Sequence, residues 1–134
     1  MIPILKKICN VDLIESPDYC KFVKLIERAY IVLTDSGGLQ EEAPTFGKPV
    51  LVLRSNTERP EGVRSGNAKL IGTSKESIVE HTSLLLEDYR EYEKMAKAVS
   101  PYGDGDAAKR IRYLLLNHLG IESPKESMWT SYSQ

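Results

Sequence analysis

The chain has 134 residues, a length that suits one domain with a buried core. Hydrophobic residues make up 41% and charged residues 28% of it, which is ordinary for a soluble globular protein. The formal net charge is −1 and the Lys and Arg residues are dispersed, which argues against a nucleic acid or a membrane surface as partner. Because no apolar run has the length of a membrane span or a signal sequence, we predict a cytoplasmic protein. Cys9 and Cys20 form no CxxC pair, so we predict two reduced thiols and neither a metal site nor a disulfide.

The first predicted elements lie ahead of residue 30. Residues 2–8 read as the end of an amphipathic helix, so either the chain is truncated or split, or the helix is simply short. Residues 11–14 form a short apolar run that is typical of a buried strand. A turn at residues 16–18 then opens a helix over residues 19–30. Its apolar positions recur at helical spacing and are Phe22, Val23, Leu25, Ile26 and Ala29.

Strands and helices alternate along the rest of the chain. Residues 29–34 are predicted to form a strand, and residues 39–46 a short helix that ends at Gly47. Residues 50–53 form an unbroken apolar strand of the kind that a parallel sheet buries on both faces. The later predicted elements are a helical turn from Pro60, a strand at 68–71, a helix after residue 74 with its apolar side at 78–86, helices at 89–99 and 107–119, and a tight loop at 102–106.

This alternation defines the predicted fold class. Strand–helix repeats whose strands lack alternating polarity predict an α/β fold, with a parallel sheet and helices on both faces. We therefore predict one Rossmann-like domain over residues 1–120, an incomplete one if the chain is truncated. Residues 121–134 are polar and rich in Ser, which predicts a tail that is disordered or docks weakly through Met128 and Trp129.

A candidate anion-binding turn follows the strand at residues 29–34. In open parallel sheets, ligands bind beyond the carboxyl ends of the strands. Two glycines, Gly37 and Gly38, let the backbone approach a ligand, and the next helix points its N–H groups at the same place. The Ser36 hydroxyl can cap that helix or donate to a phosphate oxygen. The alternative is that Ser-Gly-Gly merely turns the chain, and such a tripeptide alone favours this plainer interpretation.

Helix phase separates the two carboxylates that follow. With Leu39, Ala43 and Phe46 facing the sheet at about 100° per residue, Glu41 points into solvent and Gln40 lies to one side. Glu42 lies on the flank of the buried face, where a carboxylate repels phosphate but can accept hydrogen bonds from a ribose diol. Complementation of the helix dipole is the alternative for both acids. We assign the ribose role to Glu42 and the dipole role to Glu41.

The loop at residues 54–61 reaches the same edge of the sheet from the strand at 50–53. Arg59 precedes Pro60, which favours an extended backbone, and an extended Arg can give a forked pair of hydrogen bonds to phosphate. The alternative is a surface Arg paired with Glu58 or Glu61. On physical grounds the two interpretations are evenly balanced.

Four segments resemble one known family. They are residues 34–44 (TDSGGLQEEAP), 47–54 (GKPVLVLR), 57–61 (TERPE) and 101–105 (PYGDG). Together they resemble the non-hydrolysing UDP-N-acetylglucosamine 2-epimerases, over about residues 11–116. The resemblance implies a two-domain fold like that of the GT-B glycosyltransferases, of which this sequence matches the C-terminal domain. The site residues it implies are Ser36, Gly37 and Gly38 for the diphosphate, Glu42 for the ribose, Arg59 for a phosphate and Phe22 near the nucleobase. On pattern alone, Phe22 is simply a core aromatic of its helix.

The same resemblance implies a reaction. The family interconverts UDP-N-acetylglucosamine and UDP-N-acetylmannosamine by eliminating UDP and adding it back, with no metal or other cofactor. Its acid–base carboxylates belong to the N-terminal domain, so we expect no catalytic residue in this chain and no epimerase activity from it alone. A separate chain carrying that domain and a homodimer, common in the family, are the protein partners implied. His81 and His118 match no active-site motif and are predicted surface or packing residues, and Asp104 is predicted to be a turn residue.

Two other functions fit the sequence. The chain can be a binding module that holds UDP or a UDP-sugar without turnover. It can also be the C-terminal domain of a GT-B glycosyltransferase or of the hydrolysing epimerase. The strings at residues 40–42 and 57–61 favour the non-hydrolysing epimerase.

Overall fold

A computed structural model describes residue 5 and residues 7–121. Its centre is a parallel sheet of three strands in the order β1-β2-β3. The strands are β1 (Val32–Thr34), β2 (Val50–Val52) and β3 (Ala68–Leu70). Val50 of β2 lies opposite Val32 on one side and Ala68 on the other. The predicted parallel sheet is confirmed, with each strand a residue or more shorter than its apolar run.

Helices fill the connections and flank the sheet. They are α1 (Tyr19–Arg28), α2 (Gly37–Glu42) with a 3-10 helix directly after it (Ala43–Phe46), α3 (Pro60–Ser65), α4 (Lys75–Glu87), α5 (Tyr89–Ala96) and α6 (Ala107–His118). Asp18 caps α1 by accepting a hydrogen bond from the Lys21 backbone N–H at 3.0 Å, as the predicted turn requires. Among the described residues, no helix combines the length and the hydropathy needed to cross a membrane.

The core has two faces because β2 is buried on both sides. Val50 and Val52 pack against Ile26 of α1 and Ala43 of the 3-10 helix. Leu51, which points the other way, packs with Ile71 and with Leu85 of α4. The prediction of helices on both faces of the sheet is therefore confirmed.

The strand predicted at residues 11–14 is wrong. These residues have no regular structure, and Leu13 and Ile14 are 44% and 64% exposed. A strand forms only where a neighbour pairs with its backbone, and within the described residues β1 pairs with β2 alone. Apolar composition indicated a strand without saying which neighbour would pair with it. The predicted helix at residues 2–8 and the predicted tail at 121–134 lie largely outside the described residues.

The helix predicted at residues 39–46 is two helices. It begins two residues earlier, at Gly37, and changes from α to 3-10 geometry at Ala43. Pro44 has no N–H to donate to the Gln40 carbonyl, so the α-helical hydrogen bonding cannot continue through it. The predicted end is confirmed, since Gly47 follows with a left-handed φ of 63°.

Asn67 joins the start of β3 to the end of α5. The side chain is 1% exposed, and its Nδ2 donates to the Ala98 carbonyl at 2.6 Å and to the Met95 carbonyl at 3.4 Å. Its Oδ1 accepts a hydrogen bond from the Ser65 hydroxyl at 2.7 Å. The amide thus satisfies polar groups from three segments.

Replacement of Asn67 is expected to destabilise the fold. Asn67→Ala removes the donor to the Ala98 carbonyl and the acceptor of the Ser65 hydroxyl, which lowers the free energy of unfolding by about 1–3 kcal/mol. Urea unfolding followed by circular dichroism measures the change. Asn117→Ala, at an exposed position on α6, is the matched control and should stay within about 0.5 kcal/mol of the parent. Equal midpoints for the two variants would show that the Asn67 hydrogen bonds contribute no net stability.

Candidate functional site

Two loops meet at the carboxyl edge of the sheet. One follows β1 and leads through residues 35–36 into α2, and the other follows β2 and runs through residues 53–59 into α3. The Leu53 backbone N–H donates to the Thr34 carbonyl at 2.8 Å, so the two loops leave the sheet side by side. The structure therefore brings the Ser36–Gly38 segment and Arg59 into one region, as the sequence predicted.

Ser36 is the N-cap residue of α2 and is exposed. Its backbone N–H donates to the Thr34 hydroxyl at 2.9 Å, which shapes the turn. Its own side chain makes no capping hydrogen bond to the helix. We predicted that the Ser36 hydroxyl either caps the helix or donates to a phosphate oxygen. It does not cap α2 in this structure, so it can donate to another acceptor.

Gly37 has a steric reason to be glycine. A Cβ placed there would lie 3.1 Å from Oε1 of Glu58, a carboxylate of the neighbouring loop. A Cβ at Gly38 would meet its nearest atom, the Ser36 hydroxyl oxygen, at an ordinary 3.8 Å. Any other residue at Gly37 would have to displace the Glu58 carboxylate, so the approach of the two loops favours glycine there. At Gly38, no described atom gives a steric reason for glycine.

Gln40 lies to one side of the helix as predicted, but it is fully buried there, which the sequence did not predict. Its Nε2 donates to the Ser36 carbonyl at 3.2 Å, and its Oε1 accepts from the Thr57 hydroxyl at 2.6 Å. The loop carrying Thr57 covers that side of α2. The helical wheel located the side chain correctly but could not show that another loop lies on top of it.

The Glu41 side chain is 40% exposed, in keeping with its predicted direction, and it pairs with Arg59, a partner that the sequence did not predict. The Arg59 Nε donates to a Glu41 carboxylate oxygen, and Nη1 donates to the Glu58 carbonyl at 3.3 Å. The hydrogen bond and charge of Glu41 raise the pKa of Arg59 above its ordinary value, with a smaller contribution from Glu58. The alternative interpretation, a surface Arg in an ion pair, is therefore borne out in kind but with Glu41 as the partner, while the Glu58 carboxylate contacts Arg54 at 3.1 Å.

Glu42 carries a buried oxygen without a partner. The residue is only partly exposed, and its Oε2 is buried with no hydrogen bond to any described residue. Buried polar atoms in folded proteins nearly always have a partner, since desolvation without one costs free energy. The helix phase placed Glu42 on the flank of the buried face, and the structure agrees. An acceptor of this kind suits a ligand that donates hydroxyl hydrogen bonds.

Phe22 packs, partly buried, on the core cluster beneath α1. This is the position expected of a core aromatic, the plainer of its two predicted roles. Contact with a nucleobase stays a prediction.

Tyr102 is a residue of the site region that sequence reasoning missed. Its hydroxyl accepts a hydrogen bond from the Gly62 backbone N–H at 3.1 Å, in the first turn of the helix that Pro60 opens. Partial burial raises the pKa of the Tyr102 hydroxyl, and the Gly62 hydrogen bond opposes that shift. Tyr102 thereby braces the helix that starts next to Arg59. The available signal was its place in the PYGDG segment at residues 101–105, one of the four that resemble the family.

Two of the other titratable residues that the sequence singled out make structural contacts, and the third is exposed. Both Asp104 oxygens accept from Arg110 at 2.7 Å, and this pairing holds the pKa of Asp104 well below its usual range. Asp104 is thus confirmed as a turn residue that ties its loop to α6. His81 contacts the Ser77 carbonyl at 2.9 Å within α4, and His118 is exposed on α6.

The fold and the site together define a Rossmann-like α/β domain with a Ser-Gly-Gly turn between strand and helix at the carboxyl edge of its sheet. A family model described as UDP-N-acetylglucosamine 2-epimerase matches residues 1–116. The chain belongs to this family.

Individual relatives agree with this assignment. The UDP-N-acetylglucosamine 2-epimerase of Escherichia coli (strain K12) is 52% identical over 86% of the chain and 31% of the relative. The solved UDP-GlcNAc 2-epimerase of Neisseria meningitidis, bound to UDP-GlcNAc, has a TM-score of 0.82 and 50% identity over 86% of this chain and 32% of its own. A solved complex of S. aureus MnaA with UDP has a TM-score of 0.80 and 44% identity over 96% of this chain and 36% of its own. The chain thus spans about a third of the length of these relatives.

Proposed function

We propose that this chain holds the UDP part of the substrate in a non-hydrolysing UDP-N-acetylglucosamine 2-epimerase. The observation that carries the proposal is the unpartnered, buried Oε2 of Glu42, one turn into the helix that the Ser36–Gly38 turn opens. A ribose diol donates the hydrogen bonds that this oxygen lacks. The solved relatives bound to UDP and to UDP-GlcNAc support the choice of ligand.

The diphosphate would lie between the Ser36–Gly38 turn and Arg59. Backbone N–H groups at the start of α2 and the exposed Ser36 hydroxyl supply donors on one side, and the Arg59 guanidinium supplies positive charge on the other. Glu41 engages Nε of Arg59, and Nη2 has no hydrogen-bond partner among the described residues. The ion pair thus leaves a terminal nitrogen of the guanidinium for a phosphate oxygen.

In the proposed reaction, UDP-N-acetylglucosamine loses UDP, and UDP adds back after C2 has inverted to give UDP-N-acetylmannosamine. Negative charge develops on the departing diphosphate, so donors already placed around it stabilise that charge as it forms. The role of this chain is to bind and retain the nucleotide. The groups that move the C2 proton would come from the other domain of the two-domain enzyme, so the chain alone should not catalyse turnover.

Direct titration tests the proposal. Isothermal calorimetry or NMR with UDP should show saturable binding to the purified chain, and ADP at equal concentration should bind more weakly because its base differs. Gel filtration beside the titration establishes that the sample is monodisperse. No saturable UDP binding by a folded, monodisperse sample would contradict the proposed function.

Glu42 is expected to govern recognition of the ribose hydroxyls. Glu42→Gln keeps the side-chain volume but removes the charge that strengthens these hydrogen bonds, so the preference for UDP over 2′-deoxy-UDP should fall by about 10-fold. The ratio of the two dissociation constants is the measurement, because it cancels the general gain in anion binding when a carboxylate is neutralised. Glu80→Gln, exposed on α4, is the matched control. An unchanged ratio in Glu42→Gln would remove Glu42 from the ribose site.

A further inference from the structure

A chain of hydrogen bonds connects the two sides of the proposed diphosphate site. The Ser36 carbonyl accepts from both the backbone N–H and the side-chain Nε2 of Gln40, at 3.4 Å and 3.2 Å. The Gln40 Oε1 accepts from the Thr57 hydroxyl at 2.6 Å. The Thr57 hydroxyl oxygen accepts in turn from the Arg59 backbone N–H at 3.1 Å. The turn that would hold the diphosphate is thus linked, bond by bond, to the backbone of the arginine.

The residue types match these tasks. Gln40 is 0% exposed, and its amide has a donor nitrogen and an acceptor oxygen, each of which makes a hydrogen bond. A carboxylate of the same shape cannot donate to the Ser36 carbonyl. Thr57 needs a hydroxyl, because only a group that both donates and accepts can bond the Gln40 oxygen and the Arg59 N–H together.

Other contacts also connect the two loops or restrict the backbone beside Arg59. The Glu58 carboxylate lies so close to Gly37 that a Cβ there would approach it to 3.1 Å. Beyond Arg59, the Pro60 ring restricts the backbone, and the Gly62 N–H bonds to Tyr102. The Glu41–Arg59 ion pair links the same two segments through half-exposed side chains. The Gln40–Thr57 hydrogen bond instead joins a fully buried side chain to the hydroxyl that accepts from the Arg59 backbone.

We propose that Gln40 and Thr57 are positioning residues that set the distance between the Ser36–Gly38 turn and Arg59. This inference rests on the proposed function, since it concerns the same diphosphate. The pair acts through Arg59 and does not touch the ligand. It should therefore affect the binding of a diphosphate and leave the binding of the nucleoside alone unchanged.

Thr57→Val tests this, because it keeps the shape of the side chain and removes both hydrogen bonds. UDP affinity should fall about 5- to 20-fold, since misplacing a charged donor weakens its contacts without removing it. Uridine affinity, followed by NMR, should stay unchanged. Thr57→Ser retains the hydroxyl and should recover the affinity for UDP, while Thr45→Val, exposed in the 3-10 helix, is the matched control.

Combination with Arg59→Ala distinguishes positioning from general destabilisation. If Thr57 acts through Arg59, Thr57→Val should cause no further loss of UDP affinity in the Arg59→Ala background. Additive losses, or a parallel loss of uridine affinity, would overturn the inference. If the parent chain binds UDP and Thr57→Val has the same dissociation constant, the inference is overturned and the proposed function stands. If the parent chain does not bind UDP, the proposed function and the inference are both refuted.

Discussion

Replacing Ser36 and Arg59 together with alanine is expected to abolish measurable UDP binding by this chain. The serine hydroxyl makes no capping bond in α2, and the arginine presents its guanidinium at the same edge of the sheet. Charge-assisted hydrogen bonds to phosphate are among the stronger polar contacts in proteins, so losing donors from both sides should weaken binding by about 100-fold or more. Calorimetry with UDP measures the loss.

The double variant needs controls that separate binding from folding. Neither side chain belongs to the buried core, so the urea unfolding midpoint should change little. Arg90→Ala, at an exposed position on α5, removes one positive charge away from the site and should bind UDP like the parent. Equal UDP affinity in the parent and the double variant would refute the assignment of the diphosphate site to these residues.

Leu51→Ala is expected to cause the largest loss of stability of any single substitution considered. Leu51 lies at the centre of the middle strand, is 0% exposed and anchors the core cluster beneath α4. Deleting its side-chain atoms leaves a cavity, which lowers the free energy of unfolding by about 2–5 kcal/mol. For a domain with a typical total of about 5–15 kcal/mol, such a loss is large.

The sheet offers a matched control for this substitution. Leu33 lies directly opposite Leu51 in the register of β1 and β2, yet it is 40% exposed. Leu33→Ala removes the same atoms from a site that water already reaches, so its cost should stay below about 2 kcal/mol. Urea unfolding of both variants compares them directly. If Leu51→Ala and Leu33→Ala lower the free energy of unfolding equally, burial of Leu51 beneath α4 does not add to the stability of the fold.

Much of the fold follows from short-range sequence signals. Residues 50–53 are apolar throughout, and this pattern correctly predicts a central strand because both faces of β2 are covered. Gly47 correctly marks a helix end, since a left-handed φ favours glycine over every other residue. Residues 11–14 gave the same apolar signal and form no strand. The difference lies in pairing, which depends on a neighbour that a local pattern does not contain.

The candidate site, like the fold, was predicted only in part from the sequence. The sequence indicated an anion-binding turn at Ser36–Gly38 and separated Glu42 from Glu41, because helix phase depends only on the number of intervening residues. The sequence could not show which loop would cover the helix. Gln40 is buried and Glu41 paired because Thr57 and Arg59 arrive from a segment 17 and 18 residues away.

The sequence by itself therefore determined the fold class, the turn at residues 36–38 and the family, because each depends on residue types at short, regular spacing. The tertiary structure decided how Gln40, Glu41 and Arg59 are connected. Contacts between the two loops depend on the register of β1 against β2, which brings the ends of both strands to one edge. Helix phase gives the direction of a side chain, and only the packed sheet determines what it meets there.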